Sequence, residues 1–113
     1  MNIQIFGRSS SFDTKKAQRW FKERRISFQY IDLNSKGMSK GEFTSVLAAV
    51  KDIDKLLDAK AKGEAATLFR YLGTQAEKQE KLLENPQIIA APIVRSGRLA
   101  TVGFCPEVWK NWE

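Results

Sequence analysis

Histidine is absent from this 113-residue chain, and cysteine occurs once. Without histidine there is no histidine-based catalytic triad, no histidine zinc site and no imidazole acid–base chemistry. A single cysteine excludes an internal disulfide and every metal site built from several cysteines, so we expect no metal. No apolar run approaches the ~18 residues of a membrane span, so we expect no membrane contact. The chain also lacks the apolar core of a signal peptide, which predicts a cytoplasmic location.

Apolar side chains are plentiful, since hydrophobic residues make up 42% of the sequence and twelve residues are aromatic. A chain of this composition and length can bury one core, so we predict a single domain over residues 1–113. The net charge is +6, and residues 8–25 hold seven basic side chains against two acidic ones. Such a basic stretch forms either a solvated helix face or a surface for an acidic partner.

The first 24 residues predict a strand, a serine-rich loop and a basic helix. Residues 2–6 alternate as in a strand, and helical spacing runs over 12–24. A turn from a strand into a helix exposes unpaired backbone N–H groups and the positive end of the helix dipole, which favours an anion. The alternative is that the serines only cap the helix. The candidate anion-binding residues are Arg8, Ser9, Ser10, Ser11 and Lys15.

The two faces of this first helix differ in composition. Ala17, Trp20, Phe21 and Arg24 recur at helical spacing and are predicted to face inward. The outward face then carries the cations Lys15, Arg19, Lys22 and Arg25.

Residues 27–31 predict a second strand, parallel to the first. The segment 39–84 predicts only helices, over 40–50, 52–59, 64–72 and about 75–84. Ser39 with Glu42, and Thr74 with Glu77, match capping boxes, and Gly73 is expected to end the third of these helices in the left-handed conformation. Strands at 92–95 and 98–102 flank a Ser96-Gly97 hairpin signal, and a short helix follows.

This order of elements predicts an α/β, thioredoxin-like (glutaredoxin-like) fold, with a mixed four-stranded sheet and a helical insertion at about 39–84. Four segments carry a resemblance at the level of motifs: Phe6-Gly7 with residues 15–21, then residues 56–60, 85–93 and 102–107. In their order and spacing they resemble the arsenate reductase ArsC family, in particular its short Spx and YffB-type members. The resemblance covers nearly all of the chain.

Several positions depart from the family pattern that the resemblance implies. The family nucleophile, a cysteine at the start of the first helix, corresponds to Ser11, and a second family cysteine corresponds to Thr14. The family arginine of the insertion falls near Lys60, and its arginine before the proline falls on Ala91. A serine does no thiol redox chemistry, and the sequence offers it no activating base. We therefore expect a redox-inactive chain that does not reduce arsenate by the family mechanism.

Two further residues belong to the predicted site. Pro92 corresponds to the family's cis-proline, and we expect a cis peptide bond there. Cys105 precedes Pro106 as a candidate N-cap of the last helix. At a helix start its thiol pKa can be depressed, which makes it a candidate substitute thiol. The alternative is a half-buried side chain without chemistry.

Three functions stay open on these grounds. The first is a non-catalytic binding or regulatory protein, and the resemblance to Spx-type proteins suggests an acidic partner, the C-terminal domain of RNA polymerase α. The second is a glutathione-linked, arsenate reductase-like thiol oxidoreductase. The third is a binder of a small anion or glutathione without turnover, with Arg8, Ser9, Ser10, Ser11, Lys15, Lys60, Ala91 and Pro92 as its ligand-binding residues. Direct nucleic-acid binding is not expected, and glutathione is the one cofactor left open.

Overall fold

A four-stranded mixed sheet lies at the centre of the computed structural model, which describes residues 2–112. The strands follow the order β2-β1-β3-β4. β1 pairs with β2 in parallel and with β3 in antiparallel, and β3 pairs with β4 in antiparallel. The strands are β1 (Ile3–Gly7), β2 (Phe28–Asp32), β3 (Ile93–Ser96) and β4 (Leu99–Val102). The predicted pairings and the predicted fold class are thus confirmed.

The helices are α1 (Phe12–Glu23), α2 (Lys40–Val50), α3 (Glu64–Tyr71), α4 (Gln75–Glu84) and α5 (Pro106–Trp109). Short 3-10 turns occupy Ile53–Leu56 and Pro86–Ile88. Within residues 2–112 no helix is long and apolar enough to cross a membrane.

Alternation along the strands divides the core between the two faces of the sheet, because successive side chains of a strand point to opposite sides. Ile3 and Ile5 of β1 pack with α1 and α5 on one face, where Phe21 and Trp109 are buried. Phe6 points to the other face and packs against the helices of the insertion. Arg24 was expected to face inward, but it is exposed, and its guanidinium lies 4.0 Å from the centre of the Trp20 ring.

The insertion contains no strand among its described residues, as predicted, but it is less helical than predicted. The helix expected over 52–59 is a 3-10 turn that stops at Leu56, and Leu57 then forms an isolated bridge to Ile89. The N–H of Asp58 donates to the carbonyl of Ile88, and the N–H of Ala90 donates to that of Leu56, each at 2.8 Å. This pairing takes the backbone groups that a longer helix would have used.

The Ser39–Glu42 capping box is present as predicted, with both of its hydrogen bonds. The Thr74–Glu77 box is only half formed, because the Glu77 carboxylate accepts from the Thr74 hydroxyl and not from the Thr74 backbone. The expected left-handed Gly73 is wrong. Leu72 is already extended, at φ −70° and ψ 140°, and the chain leads directly into the Thr74 N-cap.

Candidate functional site

The loop between β1 and α1 lies where the sequence predicts the site, and Ser11 is the N-cap of α1. Ser11 is extended, at φ −90° and ψ 120°, and its Oγ accepts a hydrogen bond of 3.1 Å from the N–H of Thr14. Its carbonyl accepts from the N–H of Lys15 at 3.3 Å. The hydroxyl oxygen therefore satisfies one of the backbone donors that an anion would otherwise use at this helix start.

Arg8 turns into the protein, although it stands in a loop, and it is only 8% exposed. Its guanidinium donates to the carbonyls of Pro86 and Gln87 at 3.1 and 3.2 Å. It also donates to Asp58 Oδ2 at 3.4 Å and to Asn34 Oδ1 at 3.5 Å. Four of the five N–H groups of an arginine are thereby engaged. The Arg8 cation acts mainly as a link between this loop and the insertion.

A cavity of about 520 Å³ lies beside the loop. Its wall has three sources: the loop and first turn of α1, the segment after the first 3-10 turn, and Ala91, two positions before β3. The lining residues are Arg8, Ser10, Ser11, Phe12, Asp13, Asp58, Ala59, Lys60 and Ala91. Four of these are charged, two of each sign, so the wall is balanced in charge and not uniformly positive.

The structure thus brings together Arg8, Ser10, Ser11, Lys60 and Ala91, which the sequence had singled out from three separate segments. The other candidates do not line the cavity. Ser9 is exposed, and the Lys15 ammonium lies 5.7 Å from the centre of the Phe12 ring. Pro92 is buried directly after the lining residue Ala91, and the bond between them is cis, as expected.

Ala91 lines this cavity. Within residues 2–112 neither its N–H nor its carbonyl has a hydrogen-bond partner. Its methyl side chain supplies no charge. The wall at this point can therefore recognise a ligand only through hydrogen bonds of the main chain and through van der Waals contact.

Cys105 lies apart from the cavity wall, at the N-cap position of α5. Its Sγ–H donates to the carbonyl of Val102 at 3.3 Å, and its side chain makes no capping bond. Burial raises the pKa of the Cys105 thiol above its ordinary value. A hydrogen bond with Thr101 lowers the pKa and the nearby Asp13 carboxylate raises it, both by less. A helix start can depress the pKa of a thiol, but α5 has a single turn and the desolvation of Cys105 outweighs that effect, so its pKa is raised.

The two carboxylates of the wall, Asp13 and Asp58, were missed as site residues. Asp58 carries a weak local signal, since its Oδ1 accepts from the N–H of Lys60 at 2.9 Å in a turn that aspartate favours. No local pattern indicates its pairing with Arg8, fifty positions earlier in the chain. Across the described residues, no three acidic or cysteine side chains cluster so as to hold a metal ion.

The sequence matches no protein-family model and no curated protein, so its likeness to known proteins rests on solved structures. An ArsC family-related protein from Bacteroides fragilis superposes with a TM-score of 0.82 at 18% identity, covering 100% of this chain and 98% of that one. The fold is that of ArsC-related proteins. An arsenate reductase from Vibrio cholerae superposes with a TM-score of 0.80 at 17% identity, covering 96% of this chain and 94% of that one.

An arsenate reductase (ArsC)-related protein from Brucella melitensis gives a TM-score of 0.64 at 23% identity, over 99% and 94% of the two chains. At these identities the likeness establishes the ArsC-like fold and leaves the chemistry to be argued from the residues. Because the similarity extends over nearly the full length of each chain, the insertion is part of that shared fold.

Proposed function

We propose that this chain is a redox-inactive, ArsC-like protein that serves as a non-catalytic binding or regulatory protein. The observation that carries the proposal is Ser11 at the N-cap of α1, the position that the resemblance assigns to the family's nucleophilic cysteine. The Ser11 hydroxyl oxygen accepts from the Thr14 N–H. The sequence contains no histidine that could take the proton of the hydroxyl.

The surroundings of Ser11 support the same proposal. Thr14, at the position of the second family cysteine, is fully buried. Ala91 stands where the family has an arginine, so the oxyanion of a bound substrate would lack that donor. Lys60 supplies a point charge in place of the planar, bidentate fork of an arginine.

Cys105 is a poor substitute for the missing thiol. It is the single cysteine of the chain, it does not line the cavity, and its pKa is raised. The thiolate is the nucleophilic form of cysteine, so a raised pKa lowers its reactivity at neutral pH.

The test is an arsenate reduction assay with glutathione and glutaredoxin, and separately with thioredoxin. We expect no turnover by the wild-type chain above a no-protein control. The Ser11→Cys variant should gain a reactive thiol but little activity, because one missing oxyanion donor costs about a hundredfold or more. Turnover by the wild-type chain that Cys105→Ser abolishes would show that the chain is an enzyme after all.

A second candidate is a binder of a small anion or glutathione without turnover. The cavity beside Ser11 favours it, because Lys60 and the unpaired backbone of Ala91 face the same space. The mixed charge of the wall suits a ligand that carries both signs, such as glutathione, better than a bare oxyanion. The C-terminal domain of RNA polymerase α is a partner suggested by the Spx resemblance alone, and a pull-down with the purified domain would test it.

A further inference from the structure

The outward face of α1 carries a row of three cations that the candidate site does not use. Lys15, Arg19 and Lys22 follow one another at four- and three-residue spacing, which places them on one side of a helix. All three are exposed. At 1.5 Å of rise per residue the row is about 10 Å long. We call these three residues the α1 cation row.

The neighbouring cations of the helix are already engaged with aromatic rings. The Lys16 ammonium lies 5.8 Å from the centre of the Phe104 ring. Arg24 stacks on Trp20 and donates to its carbonyl at 3.1 Å. Phe104 and Trp20 pack against the core under α1, whereas the ring near Lys15 is that of Phe12, which is exposed like the row itself.

The α1 cation row has no carboxylate partner in the part of the chain that the structure describes. Ion pairs within 4.0 Å join Arg8 to Asp58, Lys78 to Asp54 and Lys110 to Glu107, and none includes a member of the row. Three like charges on adjacent turns repel one another. A row of this kind gains from an anionic surface laid along it.

The helix presents this row rigidly and places an apolar side chain at its end. Ala17 and Phe21 are buried against the sheet, so α1 cannot rotate to hide its charges. Phe12 lies one turn before Lys15 on the same side and is 80% exposed. The row therefore combines three cations with one aromatic side chain at a fixed spacing.

We propose that the α1 cation row docks an acidic amphipathic helix of another protein. Carboxylates at positions i, i+4 and i+7 of such a helix match the rise between Lys15, Arg19 and Lys22, and an apolar residue one turn before position i meets Phe12. The inference deepens the proposed function, on which it rests, by naming the surface and the chemistry of the partner.

A nucleic acid and a second copy of this chain fit the row less well. Glu23 belongs to the same exposed helix face, and a nucleic acid would set its evenly spaced phosphates against that carboxylate. A protein helix can instead place a neutral or basic residue there. A second copy of this chain also carries a net charge of +6, so two copies repel at long range, whereas an acidic partner is attracted.

The experiment uses a fluorescein-labelled, capped helical peptide with Glu at i, i+4 and i+7 and a Leu one turn before position i, titrated with the full chain. Arg19→Glu should weaken binding about tenfold, since it turns one attraction into a repulsion. The matched control, Lys36→Glu, makes the same charge change in the connector after β2 and should have little effect. Raising the salt to about 0.5 M should weaken binding of the wild-type chain strongly. Phe12→Ser should weaken binding of the Leu peptide but not of an Ala version.

Equal losses in Arg19→Glu and Lys36→Glu would overturn the proposal, because binding would then follow net charge alone. Tighter binding of a labelled duplex DNA than of the peptide, or self-association that excludes the peptide, would also overturn it. Far-UV circular dichroism checks that each variant folds. Turnover of arsenate by the wild-type chain would refute the proposed non-catalytic function without touching this result, and loss of peptide binding in an inactive chain would refute the docking surface alone.

Discussion

Arg8 is a buried cation whose hydrogen-bonding groups are satisfied from three parts of the chain. Asn34 follows β2, Asp58 follows the first 3-10 turn, and Pro86 and Gln87 precede β3. Desolvating a guanidinium is costly unless such partners are present, and removing it leaves these partners without their donor. The residue that local sequence marks as an anion ligand is therefore held mainly by internal contacts. Its partners lie 26 to 79 positions away, which no local pattern reveals.

Replacing Arg8 should consequently destabilise the fold. Arg8→Ala leaves two carbonyls and the Asp58 carboxylate without their donor. We expect the free energy of unfolding to fall by about 2–4 kcal/mol. Urea denaturation followed by circular dichroism measures the loss. Arg98→Ala, at an exposed position in the β3–β4 turn, is the matched control and should change stability by less than about 0.5 kcal/mol. Similar losses in both variants would mean that the Arg8 contacts contribute no more than an average surface side chain.

Cys105 should react slowly with alkylating agents near neutral pH. Burial raises its pKa, so at any pH below that value a smaller fraction is thiolate than for an ordinary cysteine. We expect the iodoacetamide rate of the native chain to be still rising at about pH 9. The same chain unfolded in urea should react faster at about pH 7.5, and so should the new thiol of Ser11→Cys. A rate that levels off below about pH 7 would show a depressed pKa instead.

The end of β1 and the first turn of α1 approach each other so closely that only glycine fits between them. A Cβ on Gly7 would collide with the Cγ2 of Thr14 and lie 2.7 Å from its Oγ1. Thr14 is itself fully buried, and its Oγ1 accepts from the N–H of Arg8 at 3.5 Å. This strand-to-helix contact fixes the loop that carries Ser11.

Gly7→Ala should therefore cost about 1–3 kcal/mol of stability, because the added methyl group has no free volume to enter. The double variant Gly7→Ala with Thr14→Ala should recover part of the loss, since it removes both atoms in collision. Gly41→Ala is the control: nothing lies within 4 Å of its added Cβ, and in a helix alanine is favoured over glycine by about 0.5–1 kcal/mol. Thermal melts of the wild-type chain, of Gly7→Ala, of Thr14→Ala, of their double variant and of Gly41→Ala measure these differences. Additive losses in the double variant would place the strain elsewhere.

At the level of elements, periodicity and capping residues predict the strands and α2 to within about one residue. Their signals are local, because apolar alternation and the Ser39 cap depend only on neighbouring residues. The predicted elements are wrong where contacts with distant parts of the chain determine the backbone conformation. The 52–59 helix stops early because Leu57 and Asp58 pair with Ile89 and Ile88, about thirty positions away.

The arrangement of the whole molecule explains why the cavity is only partly predictable from sequence. Its walls come from the sheet core and from the insertion, so it exists only after the two have packed together. Ser11, Lys60 and Ala91 could be placed there because the ArsC resemblance links their positions. The resemblance assigns no role to Asp13 or Asp58, which balance the charge of the wall, and their place in it emerges only from the folded arrangement.

Glutathione should bind this cavity weakly, because its opposite charges can meet Lys60 on one side and the aspartates on the other. A dissociation constant on the order of millimolar needs only about 4 kcal/mol. At a glutathione concentration about ten times the dissociation constant, binding raises the free energy of unfolding by about 1.4 kcal/mol. This corresponds to a rise in melting temperature of roughly 5 °C or more. Amide NMR shifts should be confined to residues 8–16, 58–60 and 90–92.

Lys60→Ala should abolish both the rise in melting temperature and the amide shifts, and Lys62→Ala should abolish neither. Arg8→Ala is unsuitable for this test because it weakens the fold itself. Inorganic phosphate, which carries one sign of charge, should shift fewer resonances, and the absence of shifts at tens of millimolar glutathione would refute the ligand site.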